Sequence, residues 1–375
     1  MKKLSYLILC ILILTSCVKQ QSGDAPFERE IYSPEYSNNF KISGTEGTDD
    51  VLISVFNPWQ GAKEVTSELL VMRDAEVPES FTGQVLKGTP QRIITMSSTH
   101  IAMIDALGDI EKIKGVSGME YISNPYIISN SKSIPDVGYE GNIDYEKIVA
   151  LQPDLILLFS VNGASSMEPK LKELGIPYIY IGDYVEETPL GKTEWIIPVA
   201  EILGKREAGI KYFNEIASKY NGLKESISNE SKGKPKVMVN APFMDSWFMP
   251  STESYIARMI EDAGGDYIYK KNTGNSSKPI DLEEALKLVT ETDFWINVGT
   301  VLSLNELKST FPKFAEAPCI KEGKIYNNNL RRSPGGGNDC YESGVVNPDL
   351  ILRDMVKIFH PELVEEGFTY YHKIE

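Results

Sequence analysis

IDYEKIVAL at residues 143–151 is repeated as IDLEEALKL at residues 280–288, and this repeat decides the fold. Each copy predicts a short amphipathic helix that leads through a turn into an apolar strand. The strand is LILLF at 155–159 after the first copy and FWINV at 294–298 after the second. The two halves of the chain therefore contain the same helix–strand unit.

A second pair of similar segments precedes the repeat. RIITM at 92–96 and KVMVN at 236–240 each run into a polar loop, an apolar helix and a glycine. Because both similarities occur in the same order, we predict an α/β fold of two three-layer lobes with a ligand cleft between them. The alternative is chance similarity between short helix–strand units.

Apolar residues recur at helical spacing between Ile196 and Ile227, which predicts one long linker helix over 193–228 with a strained turn around Gly204 to Gly209. Such a helix spans roughly 50 Å and joins the two lobes as a stiff hinge. The other predicted parts are a signal peptide at 1–17, a tether and β-rich extension at 18–87, an N-terminal lobe at 88–192 and a C-terminal lobe at 229–375.

The N-terminus has the pattern of an export signal. Lys2 and Lys3 precede a stretch that is apolar from Leu4 to Leu14 apart from Ser5, and the sequence LTSC follows at 14–17. This ending resembles a bacterial lipobox, which implies that Cys17 is lipidated and becomes the first mature residue. We expect a protein of the cell envelope, lipid-anchored on the periplasmic side. An ordinary secretory signal or a weak anchor is the alternative.

Composition excludes several classes of function. The net charge of −15 becomes −17 once Lys2 and Lys3 are removed, which argues against nucleic acid or anionic lipid surfaces as partners. With three histidines and neither a CxxC nor an HExxH motif, we expect no metal site built from protein side chains alone. Cys319 and Cys340 are either a disulfide or two unpaired buried thiols.

Three motifs together resemble a known family. The lipobox, QRIITMSSTH at 91–100 and IDYEKIVALQPDLI at 143–156, with the long middle helix, resemble the periplasmic substrate-binding proteins of ABC importers for iron–siderophore, haem and cobalamin uptake. The resemblance covers about 88–360. It implies a monomer that binds a small-molecule metal complex and delivers it to permease and ATPase subunits. It also implies neither catalysis nor a resident cofactor.

The same resemblance assigns a role to two carboxylates. In that family each lobe carries an exposed glutamate that docks onto arginines of the permease, and Glu146 and Glu283 match it by their place in the repeat. Charge-assisted pairs with arginine are short and directional, which suits such docking. The alternative is that both are solvated residues in a first helical turn, where the helix dipole favours an anion.

Ligand residues are expected in loops at the carboxyl ends of the strands, between the lobes. Ser98, Thr99 and His100 follow the first strand of the N-terminal lobe, and His100 is a candidate axial contact to a bound chelate. The alternative is a capped helix start, with Ser98 or Thr99 as cap and His100 packed inside.

Aromatic and basic residues supply the other candidates. Tyr121, Tyr139 and Trp247 lie in predicted loops and suit flat or apolar ligands, although each alone fits a core position as well. Arg331 and Arg332 lie in a glycine-rich loop and suit the carboxylate, phosphate or negative charge of a chelate. Surface charge or a salt bridge within this acidic protein is the alternative.

The sequence favours capture of an iron complex of the siderophore type, with cobalamin or haem as alternative ligands. A metal chelatase-like enzyme is the alternative of another class, because two-lobe α/β folds also host such enzymes. That enzyme would need His100 beside Glu120 or Glu140. A surface lipoprotein that binds haem or cobalamin without an importer is a third possibility. No GxSxG or GxxxxGK motif points to nucleophilic catalysis or nucleotide binding.

Overall fold

The computed structural model describes residues 27–73, 76–78, 81–230, 233–274 and 276–375. The predicted signal peptide and Cys17 lie outside these residues. The strands are β1 (Arg29–Tyr32), β2 (Phe40–Gly44), β3 (Val51–Phe56), β4 (Thr66–Met72), β5 (Gln84–Lys87), β6 (Ile93–Thr95), β7 (Ile113–Val116), β8 (Gly138–Tyr139), β9 (Asn142–Ile143), β10 (Leu155–Leu158), β11 (Tyr178–Tyr180), β12 (Lys236–Val239), β13 (Ser246–Met249), β14 (Asp266–Tyr267), β15 (Lys278–Asp281), β16 (Phe294–Ile296), β17 (Ile325–Asn327) and β18 (His372–Lys373).

Helices lie between these strands and cover the faces of the sheets. They are α1 (Ser98–Ala106), α2 (Pro125–Ser129), α3 (Tyr145–Leu151), α4 (Glu168–Leu174), α5 (Pro189–Glu194), α6 (Ile196–Ile202), α7 (Arg206–Glu230), α8 (Tyr255–Asp262), α9 (Leu282–Thr290), α10 (Leu304–Thr310), α11 (Pro318–Lys321) and α12 (Pro348–Phe359). Within the described ranges, no helix has the length and apolar character needed to cross a membrane.

Each lobe is built on its own sheet. The N-terminal lobe has a parallel sheet in the order β11-β10-β6-β7, and the C-terminal lobe has the order β14-β12-β16-β17-β18, parallel except for β18. The repeated helix leads into the strand that pairs with the first strand of its lobe: α3 precedes β10 beside β6, and α9 precedes β16 beside β12. The two-lobe α/β fold is confirmed.

A five-stranded sheet, β1 to β5 in order, forms the N-terminal extension. A buried carboxylate fixes it to the N-terminal lobe. Glu194 of α5 accepts the Tyr32 hydroxyl at 2.6 Å and the backbone N–H groups of Glu35, Tyr36 and Ser37 at 2.7, 2.9 and 2.8 Å. The extension is therefore bonded to the lobe through a carboxylate that is itself fully buried.

The linker differs from the predicted helix over 193–228. The structure divides this stretch among the end of α5, α6 and α7, and α7 has 25 residues, or roughly 38 Å. The break follows from Gly204, whose φ of +70° ends a helix in the left-handed region. Gly209 then lets α7 pack back on Ala200 of α6 with no room for a side chain. The strained turn predicted around Gly204 to Gly209 is present as a break, and the stretch forms three helices instead of the single helix predicted over 193–228.

Both cysteines of the described chain are buried and free. Cys319 is in α11, and Cys340 lies in the loop that follows β17. Of the two alternatives from the sequence, the structure has the unpaired thiols.

Candidate functional site

Two adjoining cavities open between the lobes. The first, of about 390 Å³, is lined by the N-terminal lobe, and we call it the N-lobe chamber. The second, of about 380 Å³, is lined mainly by the C-terminal lobe, and we call it the interlobe chamber. Ser98 and Tyr121 line both chambers and so form their common wall.

The N-lobe chamber is mostly apolar. Met96, Leu158, Phe159 and Met167 line it together with small polar residues such as Ser117. Tyr121 and Tyr139 also line it, and they are 64% and 57% exposed. Their rings are therefore free to stack on a flat or apolar group.

The interlobe chamber is lined largely by residues with polar side chains, several of them amides. It is lined by Asn297, Thr300, Asn328, Asn329, Arg332, Asn338 and Tyr341, among others. Asn297 follows β16 with a φ of +58°, and its Oδ1 is buried with no hydrogen-bond partner in the described protein. That oxygen is shielded from solvent, whereas Asn328, Asn329 and Asn338 bring amide groups to the chamber wall, which a polar ligand can bind.

The two arginines of the glycine-rich loop differ in their contacts. Arg331 forms an ion pair with Asp339 at 3.0 Å and lies 5.6 Å from the ring centre of Tyr370. Arg332 lines the interlobe chamber and forms no ion pair within the described ranges. Of these two arginines, Arg332 is the one that the described contacts leave available to an anionic ligand.

His100 does not reach the cleft. Ser97 caps α1 by accepting the backbone N–H of Thr99, and the Thr99 hydroxyl donates to Asp183 at 3.3 Å. His100, one residue further, is fully buried, and burial lowers its pKa to about 4. The prediction of a ligand contact by His100 is contradicted by this geometry, and Thr99 is engaged with Asp183 rather than lining a chamber.

Trp247 is a core residue, so its prediction as a ligand-binding residue in a polar loop was wrong. Its ring centre lies 5.1 Å from that of Trp295 and 5.4 Å from that of Phe314, and its Nε1–H donates to the Val239 carbonyl at 2.9 Å. The physical reason is the alternation of β13, which pairs with β15 and turns Trp247 inward and Phe248 outward.

The two repeated glutamates occupy equivalent positions. Asp144 caps α3 and Asp281 caps α9, and Glu146 and Glu283 are each the second residue of the helix that follows. Both are exposed, and Glu283 forms an ion pair with Lys287 of its own helix at 2.9 Å. Each lobe therefore presents one solvated carboxylate at the same point of the repeat.

The glycine-rich loop connects the lobes. Gly335 and Gly337 pack against the backbone of Glu120 and Tyr121, so closely that a Cβ on either glycine would overlap it. A few residues further on, Glu342 accepts hydrogen bonds from the N-terminal lobe, from the backbone N–H and the hydroxyl of Ser123 at 2.7 and 2.8 Å. The loop thus closes one side of the cleft.

The sequence analysis missed the four asparagines that line the interlobe chamber, and we call them the amide wall: Asn297, Asn328, Asn329 and Asn338. A signal existed, because Asn327-Asn328-Asn329 directly follows an apolar strand, and carboxyl ends of parallel strands meet at the cleft. Nor do the described residues contain a group of three or more His, Cys, Asp or Glu side chains that could hold a metal ion. The chelatase-like alternative needs His100 beside Glu120 or Glu140 in the cleft. The His100 side chain is fully buried, whereas Glu140 lines the N-lobe chamber, so the structure does not support this alternative.

The chain is similar in sequence to one protein family and to several known proteins. The sequence model of the family described as periplasmic binding protein matches residues 93–328. An uncharacterized lipoprotein of Methanocaldococcus jannaschii is 28% identical over 348 residues, covering 85% of this chain and 80% of that protein. The vitamin B12-binding protein of Vibrio campbellii is 31% identical over 147 residues, which cover 39% of this chain and 50% of that protein.

Solved structures share the fold. A periplasmic haem-binding protein from Pseudomonas aeruginosa superposes with a TM-score of 0.59 at 17% identity, covering 76% of this chain and 98% of that one. A protein of an Fe3+-hydroxamate transport system from Saccharomonospora viridis gives a TM-score of 0.55, also at 17% identity, covering 73% of this chain and 94% of that one. At such identity the likeness concerns the fold alone.

Proposed function

The chain belongs to the periplasmic binding protein family of ABC importers, and from that premise we propose that it captures an anionic iron complex of the siderophore type and delivers it to a membrane permease. Members of this family bind substrates and are not enzymes, which confirms the prediction of binding without catalysis. The identity of the ligand is the step that the proposal adds.

The observation that carries the proposal is the contrast between the two chambers. The N-lobe chamber offers two exposed tyrosine rings and an apolar floor, which suit the aromatic or aliphatic arms of a chelate. The interlobe chamber offers one guanidinium, Arg332, that has no carboxylate partner among the residues that the structure describes, although the protein carries a net charge of −15. An unpaired arginine in a cleft suits a carboxylate or the negative charge of a ferric complex.

A second candidate ligand is cobalamin. Four asparagines line the interlobe chamber, and amides complement the amide side chains that surround a corrin ring. Similarity to a vitamin B12-binding protein over part of the chain supports the same reading. Arg332 distinguishes the two candidate ligands. A ferric catecholate has negative charge at its surface, which an arginine can bind, whereas cyanocobalamin presents mostly neutral amides.

Delivery rests on three further elements. Glu146 and Glu283 dock onto basic groups of the permease, one from each lobe. Lipidation of Cys17 holds the protein at the membrane, in the cell envelope, as a monomer. The ATPase subunit acts through the permease and does not touch this chain.

Isothermal titration calorimetry of the protein tests the ligand. The titrants are a ferric catecholate, a ferric hydroxamate, haemin and cyanocobalamin, each at matched ionic strength. We expect saturable submicromolar binding of the ferric catecholate with one ligand per chain. Binding of cyanocobalamin alone would replace the iron complex by the second candidate, and four flat titrations would overturn the proposal.

A further inference from the structure

A two-residue turn in the C-terminal lobe exposes large apolar side chains. Phe243 and Ser246 close the turn with two backbone hydrogen bonds, of 2.8 and 3.2 Å. Phe243, Met244 and Phe248 are 62%, 81% and 44% exposed, and we call these three residues the apolar tip. None of them lines either chamber, so the ligand does not account for them.

The backbone of Met244 has a conformation that is unusual for its residue type. Its φ is +52°, in the left-handed region where glycine, asparagine or aspartate is normally found in such turns. A long apolar side chain here costs backbone strain, and because it is 81% exposed it gains little burial in return. Strain and exposure that the fold does not need point to a use outside the fold.

The register of the neighbouring strands places the apolar tip beside a docking carboxylate. Ser246, which ends the turn, pairs with Asp281, which caps α9, and Glu283 is the second residue of that helix. Just before the turn, Ala241 approaches Gly299 of the interlobe chamber wall. The tip, Glu283 and the cleft mouth therefore belong to one continuous region of the C-terminal lobe.

We propose that the apolar tip inserts into an apolar recess of the permease, next to the basic group that receives Glu283. This inference rests on the proposed function, since it needs a permease to dock on. An apolar anchor beside a charged pair excludes water from that pair, and both together form the arrangement that dominates binding energy at interfaces. A lipid surface is the less suitable occupant, because the net charge of −15 opposes approach to anionic bilayers.

The experiment measures the affinity of the ligand-free protein for its cognate permease–ATPase complex in phospholipid nanodiscs. The test variant is Phe243→Ser/Met244→Ser, and the control is Tyr184→Ser, which removes another exposed ring far along the chain, in the N-terminal lobe. We expect the double variant to weaken docking by about tenfold or more and the control to leave it unchanged. Ligand affinity, measured by calorimetry, should stay the same in both.

The variant Met244→Gly distinguishes an effect on docking from an effect on folding. Glycine relieves the positive φ, so we expect a higher Tm together with weaker docking, a combination that a merely structural role does not produce. Glu146→Ala/Glu283→Ala, measured in parallel, keeps the two proposals distinguishable.

The possible results distinguish the further inference from the proposed function. If wild type binds the complex and the glutamate variant weakens binding while both tip variants do not, the inference fails and the proposed function stands. If wild type does not bind the complex at all, the proposed function fails first. If wild type binds empty nanodiscs and the tip variants abolish that binding, the occupant is the bilayer and the inference is overturned.

Discussion

Ser123 of the N-terminal lobe and Glu342 of the C-terminal lobe are joined across the cleft by two hydrogen bonds to one carboxylate oxygen, from the backbone N–H at 2.7 Å and from the hydroxyl at 2.8 Å. Burial raises the pKa of Glu342 to about 7, and the nearby charge of Asp339 adds to this rise. The bonds from Ser123 favour the ionised form and offset part of it. A contact between the lobes is therefore sensitive to pH near neutrality.

The first prediction concerns stability against pH. Because the folded-state pKa of Glu342 is raised, the folded protein holds this proton up to about pH 7, whereas the unfolded chain releases it near its ordinary value of 4.5. The stabilisation is complete below pH 4.5 and is lost as the pH rises through 7. Urea denaturation should show a smaller loss of unfolding free energy from pH 5 to pH 8 in Glu342→Gln than in wild type, by on the order of 2 kcal/mol.

Glu362→Gln is the control for that measurement, because Glu362 is an exposed glutamate. Asp339 and its partner Arg331 face the same region, so Arg331 must be kept intact throughout. Parallel pH profiles for wild type and Glu342→Gln would show that the carboxyl does not titrate in this range.

Arg332 and Arg331 are predicted to differ in ligand binding. Arg332 has no ion pair within the described ranges and lines the interlobe chamber, so Arg332→Ala should lower affinity for a ferric catecholate by about tenfold to a hundredfold. Arg331 is held by Asp339, so Arg331→Ala should change that affinity only a few-fold. Calorimetry of both variants checks this, and equal losses would contradict the assignment of the ligand contact to Arg332.

Tyr121 is predicted to act through its ring. The ring lines both chambers and is largely exposed, so Tyr121→Phe should keep ligand affinity and Tyr121→Ala should lower it by about tenfold or more. Tyr126→Ala is the matched control, since Tyr126 is also exposed but lines neither chamber. A similar loss in Tyr121→Phe would assign the interaction to the hydroxyl group instead.

The two-lobe fold was predictable because local patterns encode it. Parallel strands are buried on both faces and appear in the sequence as apolar runs. The repeated nine-residue segments at 143–151 and 280–288 each combine an aspartate helix cap with apolar residues at helical spacing. A strained turn around Gly204 to Gly209 was expected, but the periodicity did not show that this turn ends the helix, because the apolar spacing continues across it. Only the backbone conformation of Gly204 shows where α6 ends.

The cleft was predictable only in outline. Ser98, Tyr121, Tyr139 and Arg332 lie in its walls, and their role in ligand binding stays a prediction. Trp247 does not, since polar neighbours in the sequence do not report which face of a strand is buried. The amide wall depends on loops that meet only in the folded protein.

The extension is predicted to depend on Glu194. Four groups of residues 32–37 donate to this buried carboxylate, so Glu194→Gln would place an amide against backbone donors and leave some of them unpaired. We expect a loss of unfolding free energy on the order of 3 kcal/mol by urea denaturation and earlier proteolysis of the extension. Glu187→Gln, at an exposed neighbour, should change stability by no more than about 0.5 kcal/mol. Equal stability of the two variants would mean that water replaces the lost bonds.

His100 is predicted to affect acid stability and not ligand binding. Burial lowers the pKa of His100 to about 4, while Asp183 and the Leu157 carbonyl oppose the effect without cancelling it. Because the folded-state pKa is depressed, the unfolded chain takes up the proton first, and stability is lost as the pH falls from about 6.5 to 4. His100→Leu removes this titratable group and its two buried ring nitrogens. Urea denaturation should therefore show a flatter profile below pH 6.5 and no loss of stability at pH 7.5. Ligand affinity should be unchanged by calorimetry; a marked loss would mean that His100 reaches the ligand in another conformation of the cleft.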